Sequence, residues 1–269
     1  VKETIDLSAL DLGLIALLIL ANAGASLAFR LGLGRKLLVA AARSIAQLWL
    51  LGLVLQWVFD RRDPVVVVLL MVAMGSIAGV EAVRRTSRRV PRLYPVSLLA
   101  MLSSSMAVTL YGLVVVLGTR PWYDPHYAIP ILGMVLGNTL NGISLGLDTV
   151  LEGFDRDRRQ VELLLSLGAP RAEAARDVVR RAVRKGLIPI LNSMVAVGIV
   201  AIPGMMTGQI LGGEDPAHAA RYQIFILFAI AAGVALGTVI VVLGATRLVF
   251  DDRDRLRTDR IARLRADEA

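Results

Sequence analysis

The residues that could do chemistry in this chain sit inside its most apolar stretches. In NTLNGISLGLD, Asn138 and Asn141 lie about one helical turn apart, and Ser144 and Asp148 extend the same face. Polar side chains are costly at membrane depth, which makes them functional candidates. Such a stripe offers a hard cation oxygen ligands in passing, and it serves equally as hydrogen-bonding glue between helices. A second concentration is AIPGMMTGQILGG, residues 201–213. Pro203 removes a backbone donor and Gly204 adds backbone freedom, so an apolar helix is expected to kink or unwind there. Irregular backbone at that depth is tolerated only where it is buried in protein or lines a water-filled cavity. Thr207 and Gln209 then cap freed backbone groups or face a transport path. Met205 and Met206 bring thioethers, which suit soft ions but are more commonly core fillers. Gly204, Gly208 and Gly212 are spaced four apart, which lets a neighbouring helix approach closely. Two readings of the stretch stay open: an outer gate or part of a substrate route, and a kinked helix packed against another helix or a second copy.

Other candidates are weaker. Asp11, Gln47, Glu81 and Asn192 are polar residues near or within apolar runs, and Asp11, Glu81 and Asp148 are placed close to the predicted interfaces. His126 and His218 fall in predicted loops on one side and form no ligand-like cluster, so no resident metal site is assigned. Gly142 to Gly146 matches G-x-S-x-G, but a nucleophile elbow needs a strand-to-helix turn and a nearby base, and here the motif lies within a predicted membrane helix. The chain has no cysteine, which excludes disulfides and thiolate chemistry.

The elements that hold these residues follow from composition. Of 269 residues 56% are apolar, and the mean hydropathy is +0.65. That is membrane-protein usage. A bilayer needs about 20 apolar residues per helix. Seven runs qualify: roughly 7–29, 37–59, 64–81, 95–117, 127–148, 187–211 and 223–249. The expected fold is all-α, a polytopic integral membrane protein of about seven helices. No signal-peptide pattern precedes the first run, which is read as a retained helix. The formal charge of +8 comes almost wholly from arginine. Taking alternate loops, 25 of the 30 basic residues fall on one side, which puts the N-terminus outside and the C-terminus in the cytoplasm. Basic cytoplasmic loops account for the charge, and no nucleic-acid partner is expected. Residues 1–250 read as one membrane domain and 251–269 as a charged cytoplasmic tail, a short solvated helix or coil.

The longest cytoplasmic loop, 152–186, carries apolar residues at helical spacing on both sides of a Gly-Ala-Pro interruption at 168–170. It predicts helix, turn, helix, with Pro170 near the start of the second helix and Pro189 restarting the chain into the membrane. Its arginines suit anionic lipid; a passive connector and a docking element for a cytoplasmic partner fit as well.

The run from Glu162 to Ala169, ELLLSLGA, resembles the E-A-A-x-x-x-G coupling loop of ABC-transporter permeases. Glu162 and Gly168 match, whereas Leu163 and Leu164 stand where alanines are usual. The wider region 161–223, with RRAVRKGLIPILNSM, AIPGMMTGQILGG and DPAHAARYQI, is similar to the FetB family of metal-exporting permeases and their plant aluminium-tolerance relatives. That resemblance covers essentially the whole chain. It implies a permease subunit in a prokaryotic inner membrane, a homodimer with the path between two copies, and a separate ATPase subunit docked at Glu162, Leu165, Gly168 and Ala169. It also implies export of a metal ion, iron first. Pro203 to Gln209, with Asn138 and Asn141, are the residues that their own chemistry makes candidates for its path. ATP and magnesium are expected in the partner, because no G-x-x-x-x-G-K-[ST] occurs here. The chain itself is then not an enzyme. The competing class is a secondary transporter or channel working without ATP, which needs an ion or proton relay that the few intramembrane carboxylates do not readily supply.

Overall fold

The computed structural model describes residues 8–30 and 32–263. Residue 7, which opens the first predicted run, and residues 264–269 of the predicted tail lie outside the described residues. The chain is helical almost throughout. Helix α1 (Ala9–Ala28) opens on a capping box in which Asp11 Oδ2 accepts from Ser8 N at 2.9 Å, so this carboxylate has a capping role. Next come α2 (Gly34–Arg61) and α3 (Pro64–Arg84), the latter started by Pro64 and by Asp63, whose carboxylate accepts from Val65 N at 2.8 Å. A two-residue strand β1 (Arg88–Arg89) leads to α4 (Leu93–Tyr111), which continues into a π turn at Gly112–Val116. Helix α5 (Pro125–Arg156) is followed by α6 (Arg158–Ser166), the single turn α7 (Arg171–Ala174), α8 (Arg176–Ala196), α9 (Gly204–Leu211) and α10 (Pro216–Val249). A second short strand, β2 (Ala262–Arg263), pairs antiparallel with β1. This small sheet was not expected from an all-α reading.

Among the described residues, six helices are long and apolar enough to cross a membrane: α1 to α5, with α4 extended by its π turn, and α10. The seventh candidate, 187–211, is not one helix. Its first part belongs to α8, its last to α9, and residues 197–203 between them are irregular. Pro189 does not restart the chain. It sits inside α8, which runs unbroken from the 158–175 segment into the apolar run.

The core is built from α3, α4, α5, α8 and α10. Leu132, Ile143, Leu147 and Phe154 of α5 and Ile226, Val234, Val241 and Val249 of α10 are fully or almost fully buried. Between α5, α8 and α10 the backbones come unusually close. A methyl group on Gly186 would lie 2.7 Å from the Gly142 carbonyl oxygen and 2.6 Å from Thr238 Cγ2. Glycine at both positions is therefore a packing requirement. This explains the G-x-S-x-G match: Gly142 and Gly146 face α10, and Ser144 Oγ donates to the Leu140 carbonyl at 2.8 Å. The motif is helix packing, with no strand-to-helix turn.

Helices α1 and α2 stand apart from this core. They pack on each other, and α2 meets the rest chiefly near its C-terminal end, where Val58 is buried and Phe59 stacks on His126 at 4.2 Å between ring centroids. At the opposite end of the bundle, the 85–92, 157–175 and 250–263 segments gather through the β1–β2 pair, the Arg171 to Asp254 ion pair and the edge-on Phe154 to Phe250 contact.

Candidate functional site

Helix α6 is amphipathic, and its two faces do different things. Val161 is buried, with Leu164 and Leu165 partly buried against the core, whereas Leu163 and Leu167 face outward at 58% and 75% exposure. Glu162 receives Arg158 Nε at 2.7 Å, one helical turn back. The helix ends in a Schellman motif: Ala169 N donates to Leu164 O and Gly168 N to Leu165 O, each at 3.0 Å. Gly168 holds φ at +89°, which a side chain would strain, so the glycine is required by the turn itself. Pro170 follows as the N-cap of α7, so the expected helix, turn, helix is present with a one-turn helix inserted.

Asp157 ties this platform to the bundle. Its carboxylate lies between Arg156, whose Nε donates at 2.9 Å, and Arg181 of α8. Chiefly through the Arg156 hydrogen bond, with both guanidiniums adding attraction, the acid is held below the usual carboxylate range. Arg171 reaches Asp254 of the tail at 3.2 Å. A groove of about 680 Å³ results, with Glu162, Leu165, Gly168 and Ala169 on one wall and Arg253 to Arg257 on the other. All four residues predicted to couple are thus together on one groove. Sequence reasoning missed the second wall, and also Leu163 and Leu167, whose i, i+4 spacing opposite Val161 and Leu165 was the available signal.

The polar stripe of α5 faces the end of α3 and α8, lining a cavity of about 350 Å³ with Arg85 and Pro189. Its groups are mostly occupied. Arg85 Nη1 donates to Asn141 Oδ1 at 3.1 Å, Ser87 N and Oγ donate to Asp148 Oδ1 at 3.0 and 2.5 Å, and Asn138 Nδ2 donates to Met134 O at 2.9 Å. A guanidinium seated on the stripe disfavours a cation there, so this geometry suits interhelical glue. Glu81 pairs with Arg85 at 3.5 Å. No group of three or more His, Asp or Glu residues able to hold a metal occurs among the described residues.

The third element is the break at 197–203. The helix ends earlier than Pro203 demands: Gly198 takes φ +80°, and Val200 N and Ala201 N both donate back to Ala196 O. Pro203 then serves as the N-cap of α9, and Thr207 Oγ donates to the Pro203 carbonyl at 3.1 Å, a group that already accepts from Thr207 N at 3.0 Å, so the hydroxyl makes a back-bond within the helix and caps no freed group. Gln209 Oε1 is buried and finds no partner among the described residues. Helix α9 packs on α10, and Met205 touches the core, so Pro203 to Gln209 lie apart from the Asn141 cavity within one protomer. Ile199 and Val200 are 87% and 85% exposed. Gly204 and Gly208 have no atom within 4 Å of a would-be methyl group.

Comparison with known proteins agrees with the resemblance noted in the sequence. The profile described as "Uncharacterised protein family (UPF0014)" matches residues 9–250. A UPF0014 membrane protein of Synechocystis sp. is 39% identical over 227 residues, covering 84% of this chain and 87% of its own. Protein ALUMINUM SENSITIVE 3 of Arabidopsis thaliana is 34% identical over 197 residues, 73% of this chain and 71% of its own. The probable iron export permease protein FetB of Escherichia coli is 30% identical over 227 residues, 84% and 86% respectively. No solved structure matches.

Proposed function

This chain belongs to the UPF0014 family of membrane proteins, and from that premise we propose that it is the membrane-spanning subunit of an ABC-type metal-ion exporter driven by a separate ATPase. The observation that carries the reading is the α6 platform. A short helix with a free apolar edge ends at Gly168 and leads through α7 into α8, a single 21-residue helix entering the apolar layer. A partner pushing on Leu163 and Leu167 therefore moves a rigid rod that packs on α5 and α10. ATP and its magnesium belong to that partner.

The gathering of the arginine-rich segments at one end of the bundle supports a cytoplasmic location for that end, the N-terminus outside and the C-terminus inside. Seven crossings follow if the interrupted α8 to α9 segment counts as one. Irregular backbone at 197–203 is untenable against lipid. Its exposure supports a homodimer in which two copies cover this stretch and enclose the path. Iron is the first substrate to try, because the Escherichia coli relative is named a probable iron export permease. A prokaryotic plasma membrane fits the bacterial relatives. The ATP-independent alternative gains nothing from Glu81 and Asp148, both of which are engaged.

The test is uptake of radioactive iron into inside-out vesicles holding this chain and a candidate P-loop ATPase from the same genome. Uptake that requires hydrolysable ATP and is lost in Leu167→Arg supports the proposal. Uptake that is indifferent to ATP would overturn it.

A further inference from the structure

The described part of the tail is a folded lobe. Asp251 organises it: Oδ1 accepts from Arg253 N at 3.0 Å and from Arg255 N at 2.8 Å, while Asp251 N donates to Arg255 O at 3.0 Å. Arg257 N donates to Val249 O at 2.8 Å, and Asp254 turns the chain with φ at +55°. Leu256 is thereby driven inward to 8% exposure, and Phe250 packs edge-on to Phe154 with centroids 5.7 Å apart. The Arg171 to Asp254 ion pair and the β2 to β1 pairing hold the lobe from two more sides.

Its position gives it a use. The lobe is the second wall of the groove lined by Glu162, Leu165 and Gly168. Arg253 is exposed, and its guanidinium has no carboxylate partner among the described residues. The groove thus combines an apolar strip at Leu165 and Leu256, an unpaired guanidinium, and a rim of both charge signs. Such a surface suits an acidic segment of a protein with an apolar tip. A continuous anionic lipid surface would also meet Glu162 and Asp254 of the same rim, whereas a single acidic side chain on a protein segment can reach the Arg253 guanidinium without facing them.

We propose that the lobe 251–257 is half of the socket for the ATPase subunit, which inserts an acidic, apolar-tipped segment between the α6 turn and Arg253 to Leu256. This rests on the reading of the α6 turn as a docking contact. The partner then works two levers. One runs through α6 into α5 and α8; the other runs through β2 into β1, which joins α3 to α4. Because the lobe lies beyond the residues matched by the family profile, it is also a place where pairing specificity can differ between relatives.

The absence of native cysteine makes the test clean. Leu167→Cys and Arg253→Cys are made separately in the full chain, co-expressed with a candidate P-loop ATPase from the same genome, and labelled with a thiol-directed photo-cross-linker. Both positions should cross-link to the ATPase. Arg253→Glu should weaken co-purification by about tenfold, equivalent to about 1.4 kcal/mol, with Arg253→Lys retaining it. Cross-linking from residue 167 alone, with Arg253→Glu co-purifying undiminished, overturns the socket and leaves α6 docking intact. Cross-linking from neither position overturns both. Arg253→Cys that labels phosphatidylserine in reconstituted vesicles and not the ATPase overturns the socket in favour of the membrane surface.

Discussion

Substituting Gly186 by alanine tests how α8 is held, because the change adds one methyl group at the tightest backbone contact in the bundle. That methyl would meet Thr238 Cγ2 at 2.6 Å and the Gly142 carbonyl oxygen at 2.7 Å, both inside ordinary van der Waals contact. The side chain of Thr238 has some freedom, but the Gly142 oxygen is backbone in the middle of α5, so α8 must shift outward. Overpacking of this kind costs about 1–3 kcal/mol. The better helix propensity of alanine returns about 1 kcal/mol. A net loss of up to about 2 kcal/mol against the parent, and of about 1–3 kcal/mol against a glycine-to-alanine change without the clash, is expected from these two terms. Gly137 supplies the control, since it lies on an exposed face of α5 with nothing within 4 Å of a would-be methyl group. Gly137→Ala should keep the propensity gain without the clash. The assay is thermal unfolding of the purified chain in detergent, with Gly186→Ala melting below the parent and Gly137→Ala at or above it. If Gly186→Ala melts no lower than Gly137→Ala, the claim that the α5 to α8 contact is a backbone-limited fit is refuted.

The Asp157 carboxyl is held below its ordinary range by Arg156 and Arg181, so its contribution is fully present above the unfolded value of about 3.9 and is lost as pH falls through the lower folded value. Asp157→Asn should therefore lower the melting temperature at pH 6, with the gap to the parent closing as pH falls below the unfolded value; a gap independent of pH would show that the acid acts only by shape. Val200→Cys should give disulfide-linked dimers in native membranes if two copies cover the 197–203 loop, and only monomers in oxidised membranes would remove that loop from the interface.

Much of the fold was legible because hydropathy reports length directly. Six apolar runs became six helices near the expected bounds, and Gly168, read as a turn, became the left-handed residue of a helix end. The seventh run misled for a physical reason. Hydropathy averages over a break, and residues 197–202, GIVAI included, are as apolar in an irregular loop as in a helix. Pro189 misled in the opposite sense, since a proline inside a helix can be absorbed where neighbouring helices and carbonyls compensate. The tail misled because its charges concealed Phe250 and Leu256, two apolar anchors six residues apart, and because pairing between residues 88 and 263 has no local signature. In the candidate site, Glu162 and Gly168 could be found from their spacing, whereas the groove opposite them exists only once distant segments meet.

The protomer by itself leaves several features without a counterpart, and all concern surfaces that would face lipid. Arg43 and Gln47 lie exposed one turn apart on α2, Ile199 and Val200 are exposed on irregular backbone, and nothing approaches Gly204 or Gly208. Bare lipid is a poor environment for the first two groups. Small residues facing empty space are what a close-approaching neighbour requires. Gly204→Leu and Gly208→Leu separate this reading from a purely intramolecular one, because each side chain has room within the protomer. The monomer in detergent should therefore melt within about 0.5 kcal/mol of the parent, as surface substitutions do, while vesicle transport falls steeply because the second copy or the path is obstructed. Normal transport by both variants would take α9 out of the interface and out of the route alike. A melting temperature that falls together with transport would place the missing neighbour inside the protomer, contrary to the packing seen around α9.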